Sequence, residues 1–359
     1  MLKKSVTYFL IAVFCLACSS IVPAGAPYSG SSTIAAVSWD FAGQITGAPG
    51  SDLWGMTWGN DGSVYMQWGD GGGFNGTDTV CRTQRGVAKI DGNPGSFTYT
   101  NITGCKADGA GCVGSFTHNP ACDTLYANTV SGYADDILDV AGTLYSIIAN
   151  GIYKSTDSGA TWTNTGVSWS STAGSWMPTG FVQFGQGYAG APNNYVYIMG
   201  AKWGPGDGEF GMTTNIYLSR VLKTSMETQG AYEWYTSTNP SLPTWGAWGS
   251  AQPIWTDANR TKGVGGRAVY FPILGKYILS AYRNTGKEIM LFDSANPWGP
   301  WTTVAYDTNW GTDKSVDTLS LNISTKWLTD GNTKFWMSYS TTPGKDNFNL
   351  IQGTFTLRR

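Results

Sequence analysis

A single histidine, His118, stands in 359 residues, and only 13% of the chain carries a charged side chain. One imidazole cannot build a histidine-based metal cluster, and it makes a Ser-His-Asp nucleophilic triad a poor fit. The four cysteines beyond residue 24 include no C-x-x-C pair. The run Gly69-Asp70-Gly71-Gly72-Gly73 has no helical pattern behind it, so neither a phosphate loop nor a dinucleotide fingerprint is present. No cofactor and no metal are therefore expected. Helical periodicity is almost missing, with Leu222–Gln229 the one stretch that reads as a short helix. A basic stripe is missing too, which argues against nucleic acid and anionic lipid as partners.

What the chain does hold is glycine and flat rings: 48 Gly, 17 Trp and 19 Tyr. Such a composition is neither disordered nor helical, and points to an all-β protein with tight turns. At the N-terminus, Lys3 and Lys4 precede an apolar run from Val6 to Ala17, too short to span a bilayer ahead of a soluble domain. Residues 1–24 read as a signal peptide, which places the protein outside the cell or in the periplasm. Leu16-Ala17-Cys18-Ser19 also fits a lipoprotein box, except that Cys15 stands where leucine is usual. Membrane attachment at the cell surface is expected only through lipidation of Cys18. Loss of the leader removes two lysines and leaves 24 acidic against 20 basic residues, a net charge of −4.

Cys81, Cys105, Cys112 and Cys122 remain after the leader. In an exported protein they point to two disulfides stapling a loop-rich insertion at about 81–122 rather than to a zinc site. Three connectivities fit; the nested one, Cys105–Cys112 inside Cys81–Cys122, is the expected pairing. No linker-like run divides residues 25–359, which are read as a single domain.

Strand-like segments fall into five clusters separated by turn residues, each of about four strands, beginning near residues 53, 137, 180, 267 and 318. The last cluster is one strand short, and Ile34–Phe41 is left over to complete it. The expected fold is a five-bladed β-propeller of four-stranded antiparallel blades, closed by that N-terminal strand. A two-sheet sandwich is the competitor, but its strands would be evenly spaced. Ser155-Thr156-Asp157-Ser158-Gly159-Ala160-Thr161-Trp162 matches the Asp-box of propeller hairpins. That motif sits away from the axis, so Asp157 is read as structural.

The most informative segment is residues 51–73. Leu53–Trp58 and Val64–Trp68 flank Asn60-Asp61-Gly62, the pattern of a hairpin whose three-residue loop puts Gly62 in the left-handed conformation. Counting outward from that loop, Asp52 faces Asp70 across the open end, beside a flexible Gly71–Gly73 loop. Opposed residues share one side of a sheet, so both carboxylates would share one small region. The alternative is two turn-capping aspartates.

Asp135 and Asp136 enter the first strand of the second cluster, and Arg267 enters that of the fourth. A solvated loop and a blade-to-blade salt bridge are the plainer readings of these residues. Glycoside hydrolysis needs a protonated acid and an ionised carboxylate about the scissile bond, and crowding two carboxylates beside Trp raises the pKa of one. Asp52, Asp70 and Asp136 are accordingly the catalytic candidates. Asp135 and Arg267 are candidates for substrate binding, as are Trp54, Trp68 and Trp176, whose rings would stack on sugar faces. Glu209, in a glycine-rich loop, is a weaker candidate. The expected function is a secreted glycoside hydrolase acting on a polysaccharide or oligosaccharide, with no protein partner. Two alternatives stand: a polysaccharide lyase using Tyr, Arg or His118, and a non-catalytic glycan-binding propeller.

Several segments together resemble one known family. They are Asp52-Leu53-Trp54, Trp68–Gly73, Phe184–Ala191, Pro297–Thr302, Asn347-Phe348-Asn349 and Gly353-Thr354-Phe355. Their order is similar to that of secreted propellers catalogued as domain of unknown function 4185. The resemblance implies a five-bladed propeller with an exported, glycan-directed role. It also implies axial aspartates, at Asp52 and Asp70, of the kind that arabinan-cleaving members use. The insertion at 81–122 departs from the family, so no substrate is carried over.

Overall fold

A computed structural model describes residues 25–77, 80–83, 85–105, 112–113, 134–204, 214–258, 264–283, 287–312, 317–342 and 346–359. The leader, His118, Cys122 and Glu209 lie outside the described residues.

The described chain is all-β, with short 3-10 turns as its only helical elements. The first strand, β1, covers Ile34–Gly47. An antiparallel sheet follows in simple order: β2 (Asp52–Trp58), β3 (Val64–Gly69), β4 (Arg85–Asp91) and β5 (Thr98–Asn101). A two-residue ladder, β6 (Gly104–Cys105) with β7 (Cys112–Val113), sets Cys105 opposite Cys112. The next sheet holds β8 (Ala134–Val140), β9 (Thr143–Ile148), β10 (Gly151–Ser155) and β11 (Thr163–Ser168).

A third antiparallel run is β12 (Trp176–Gln183), β13 (Tyr195–Lys202), β14 (Asn215–Leu222), β15 (Glu233–Tyr235) and β16 (Trp245–Gly246), with β17 (Trp255–Thr256) beside β14. The fourth run is β18 (Val264–Phe271), β19 (Lys276–Arg283), β20 (Ile289–Ser294) and β21 (Thr302–Asp307). Parallel pairing of Val182 and Gln183 with Ala268 and Val269 joins these two runs into one sheet. The last sheet holds β22 (Asp317–Ile323), β23 (Lys334–Thr342) and β24 (Phe348–Leu357), and β1 pairs antiparallel with β24 to give it a fourth strand. The leftover N-terminal segment therefore does complete the C-terminal cluster.

Turn chemistry fixes the short hairpins. Ala141-Gly142 and Ala149-Asn150 each take two consecutive positive φ values between adjacent strands, the geometry whose twist matches antiparallel pairs. In the Ser155–Trp162 turn, Asp157 accepts hydrogen bonds from Ser155, from the Thr161 hydroxyl and from the Thr161 N–H, while Trp162 is buried beneath. These partners all lie inside the turn, which suits a structural Asp157.

The first strands of the five runs touch in cyclic order: β2 on β8, β8 on β12, β12 on β18, β18 on β22, and β22 on β2. The apolar core fills the spaces between sheets and is dominated by rings, among them Trp54, Trp68, Trp176, Phe292 and Phe335. One expectation fails outright. Leu222–Gln229 is not a helix, because Leu222 ends β14 and the chain then makes two 3-10 turns, Lys223–Ser225 and Gln229–Ala231. Leu222 is exposed and only Met226 of this stretch is fully buried, so no apolar face exists for a helix to bury.

Candidate carboxylate site

The hairpin loop forms as expected. Gly62 has φ +89°, and its N–H donates to the Gly59 carbonyl at 2.9 Å. Pairs next to the loop also keep the expected register, with Trp58 opposite Val64 and Gly55 opposite Gln67. Beyond Gly55 a β-bulge intervenes, and Asp52 faces Gly69 instead of Asp70. The cause is local: Leu53 takes a left-handed backbone, φ 58°, so one residue of β2 drops out of the pairing. Gly69 lacks a side chain where a Cβ would stand 3.0 Å from Asp52 Oδ1, which leaves the half-buried Asp52 carboxylate room.

Asp70 departs from the strand with φ 50°, and its Oδ1 accepts an ion pair from Arg82 Nη2 at 3.0 Å. The two side chains are 28% and 30% exposed, so the pair is open to a ligand from solvent. Burial raises the Asp70 pKa, Arg82 lowers it, and Asp346 raises it again; the net shift is upward. Asp346 stands in the loop before β24, and its carbonyl accepts the Gly50 N–H at 2.6 Å. Three segments, 50–52, 70–82 and 346, therefore meet at the open end of the hairpin.

The Gly71–Gly73 loop is packed, not flexible as its composition suggested. Any Cβ on Gly71 would strike the Gly50 carbonyl, and one on Gly73 would strike the Trp68 ring. The Gly73 N–H donates to Ser51 Oγ at 3.0 Å, and the Thr83 N–H to the Gly71 carbonyl at 3.0 Å. Cys81, in the same stretch, is buried and disulfide-bonded. The side chains of Cys105, Cys112 and Cys122 lie outside the described residues, so the nested pairing stays a proposal.

Asp136 and Arg267 do meet, but away from solvent. Arg267 Nε lies 3.7 Å from Asp136 Oδ1, and the residues are 4% and 1% exposed. Asp136 Oδ2 also accepts the Phe181 N–H at 2.8 Å. Four first strands converge here, since a Cβ on Gly55 would sit 2.5 Å from Asp136 Oδ1 and one on Gly180 would sit 2.8 Å from Arg267 Cγ. Burial outweighs the guanidinium and pushes the Asp136 pKa up to about 6. In this structure neither group offers a face to a substrate, because both are sealed by the strands around them. Asp135 is the second residue of the same strand, β8; its side chain lies outside the described residues.

The three indoles expected as sugar platforms are core. Trp54 and Trp68 have no exposed surface, and Trp176 has 1%. Trp54 packs on Trp68 with ring centroids 5.3 Å apart, and Trp176 packs on Trp248 at 5.3 Å. A ring filled on both faces cannot stack on a sugar. Trp54 and Trp68 serve the site from below instead: their N–H groups donate to the carbonyls of Ser51 and Gly71, at 3.1 and 3.3 Å. These bonds brace the two segments that carry Asp52 and Asp70.

Arg82 and Asp346 were not singled out by the sequence. Arg82 follows Cys81 in the stretch assigned to the stapled insertion, and Asp346 lies one residue before Asn347-Phe348-Asn349. Among the described residues, no group of three His, Cys, Asp or Glu side chains converges as a metal site.

The class these features define is an all-β protein of successive antiparallel runs of four or five strands, with the Asp70 and Asp346 carboxylates near the open end of its first hairpin. The chain belongs to the family described as Domain of unknown function (DUF4185), whose model matches residues 133–343. That span contains Asp135, Asp136, Trp176 and Arg267, whereas the first hairpin and Asp346 lie outside it. No functionally curated protein matches the sequence. Among solved structures, a thermostable family-43 glycoside hydrolase is similar at 11% identity and a TM-score of 0.47, over 88% of this chain and 94% of that one. A GH43 β-xylosidase/α-arabinofuranosidase from a compost microbial metagenome, solved with xylotriose, is similar at 13% identity and 0.46, over 94% and 98%. An endo-1,4-β-xylanase from Bacteroides thetaiotaomicron is similar at 11% and 0.46, over 88% and 96%. At identities this low, these likenesses assign neither a substrate nor a catalytic residue.

Proposed function

We propose that the chain is an exported, five-bladed propeller that hydrolyses a glycosidic bond in a polysaccharide, with the open end of the β2–β3 hairpin as its active site. The cyclic contacts of β2, β8, β12, β18 and β22 support the blade count, and the β1–β24 pairing supports closure by the N-terminal strand. The observation that carries the enzymatic reading is Asp70: a solvent-reachable carboxyl, ion-paired to Arg82, whose proton affinity is raised by burial and by Asp346. A carboxyl of raised pKa keeps its proton at mildly acidic pH and can deliver it to a leaving glycosidic oxygen. Asp52 is then the base or nucleophile, its carboxylate set beside Gly69. Arg82 holds Asp70 in place and orients a sugar hydroxyl. Asp136 and Arg267, sealed below, hold four strands together.

Reducing-end release from plant, algal and bacterial-wall polysaccharides tests this. On a substrate that the wild type cleaves, Asp52→Asn and Asp70→Asn each should lose about 10²–10⁴-fold in rate. If neither variant slows the reaction, the assignment of roles fails. Products with an unsaturated end would mark a lyase, and glycan retention without new reducing ends would mark a binding protein.

A further inference from the structure

Between the β22–β23–β24–β1 sheet and the Trp310–Thr312 segment lies a cavity of about 190 Å³. Each water takes about 30 Å³ of the liquid, so this space admits one sugar ring. Among the described residues, no lining side chain carries a charge. A phosphate, a uronate or a metal ion would find no counter-charge among them, and a large apolar ligand would bury amides.

The polar wall is ordered by its own hydrogen bonds. Tyr339 stands opposite Asn349, and Asn349 opposite Thr46, which puts their side chains on one face of the sheet. The Tyr339 hydroxyl donates to Gln44 Oε1 at 2.8 Å, and Gln44 Nε2 donates to Asn349 Oδ1 at 3.1 Å. Asn349 Nδ2 donates to Asn347 Oδ1 at 2.6 Å. Such mutual bonds fix the planes of the amides before any ligand arrives. On the other wall, the indole N–H of Trp310 has no hydrogen-bond partner among the described residues, although Trp310 is only 3% exposed. A buried donor left unpaired is unfavourable, and a ligand oxygen would satisfy it.

We infer that this cavity binds one neutral, unphosphorylated sugar residue, beside the carboxylate cluster but distinct from it. Asn347 lines the cavity while the preceding Asp346 acts on Asp70, so a single loop serves both places. The site stands whether or not Asp52 and Asp70 cleave a bond.

Calorimetric titration of the full chain with L-arabinose, D-xylose and D-galactose tests it, with D-glucuronate and inorganic phosphate as charged controls. At least one neutral sugar should bind the wild type, and bind Asp70→Asn equally well. Affinity should fall about tenfold or more in Trp310→Phe, which keeps a ring but removes the N–H, and in Asn347→Ala. The inference is overturned if no neutral sugar binds, if both cavity variants bind as the wild type does, or if a charged control binds more tightly. Retained binding in a protein that cleaves no glycan would sink the hydrolase reading and leave this site standing.

Discussion

Asp136 and Arg267 lie 131 sequence positions apart, yet form an ion pair, Oδ1 to Nε at 3.7 Å, where four first strands converge. Removing one partner of a buried pair leaves an uncompensated charge, which typically destabilises by about 3–5 kcal/mol. Arg267→Met should lower the unfolding free energy measured in urea by that order. The double variant Asp136→Asn/Arg267→Met should recover part of the loss, because no isolated charge is left.

The same pair makes stability depend on pH. Asp136 is raised from an ordinary value of 3.8 to about 6 in the folded chain, so between those values the native state holds a proton that the unfolded state has released. Its contribution to stability is present below the unfolded pKa and is lost as pH rises through the folded one. Urea melts from pH 4 to pH 7 should show that decline in the wild type. Asp136→Asn should flatten it.

Arg82 holds the Asp70 pKa down against burial and Asp346. Arg82→Met should therefore raise it further, which ¹³C NMR titration of the Asp70 carboxyl would read directly. If Asp70 is the proton donor, the alkaline limb of the hydrolysis rate should move to higher pH in the same variant.

Gly73 combines φ +71° with a Cβ direction that runs into the Trp68 ring. Gly73→Ala should destabilise by about 1–3 kcal/mol, the usual range for overpacking a filled core. Chemical denaturation gives the number, and an unchanged midpoint would contradict the tight loop.

Arg220 is clasped between two rings, 4.2 Å from the Tyr195 centroid and 4.1 Å from that of Trp245, while its Nε and Nη2 donate to Glu233 Oε2 at 3.0 and 2.9 Å. Lysine keeps the charge but loses the planar stack and the paired donors. Arg220→Lys should cost about 1–2 kcal/mol on denaturation.

Much of this was legible in the chain because its information is local. Asn60-Asp61-Gly62 names its own loop, since glycine is at ease in the left-handed position that the turn requires. Strand clusters show because apolar runs alternate with turn residues. The bulge at Leu53 was not legible: a leucine carries no sign that its φ will be positive. Trp54, Trp68 and Trp176 misled for a related reason, as an indole has the same composition whether it faces a sugar or a neighbouring sheet. Arg82 and Asp346 stayed hidden because they reach Asp70 from loops 12 and 276 positions away.

Composition, turn residues and strand spacing determined by themselves that this protein is all-β, that β1 finishes the last sheet, and that the first hairpin carries an aspartate at each side of its open end. Those features follow from short-range backbone preferences and from the need to bury one face of each strand. Which carboxylates stay in water was decided by the tertiary structure alone. Packing sealed Asp136 against Arg267, a bulge moved Asp52 opposite Gly69, and two distant loops brought Arg82 and Asp346 to Asp70.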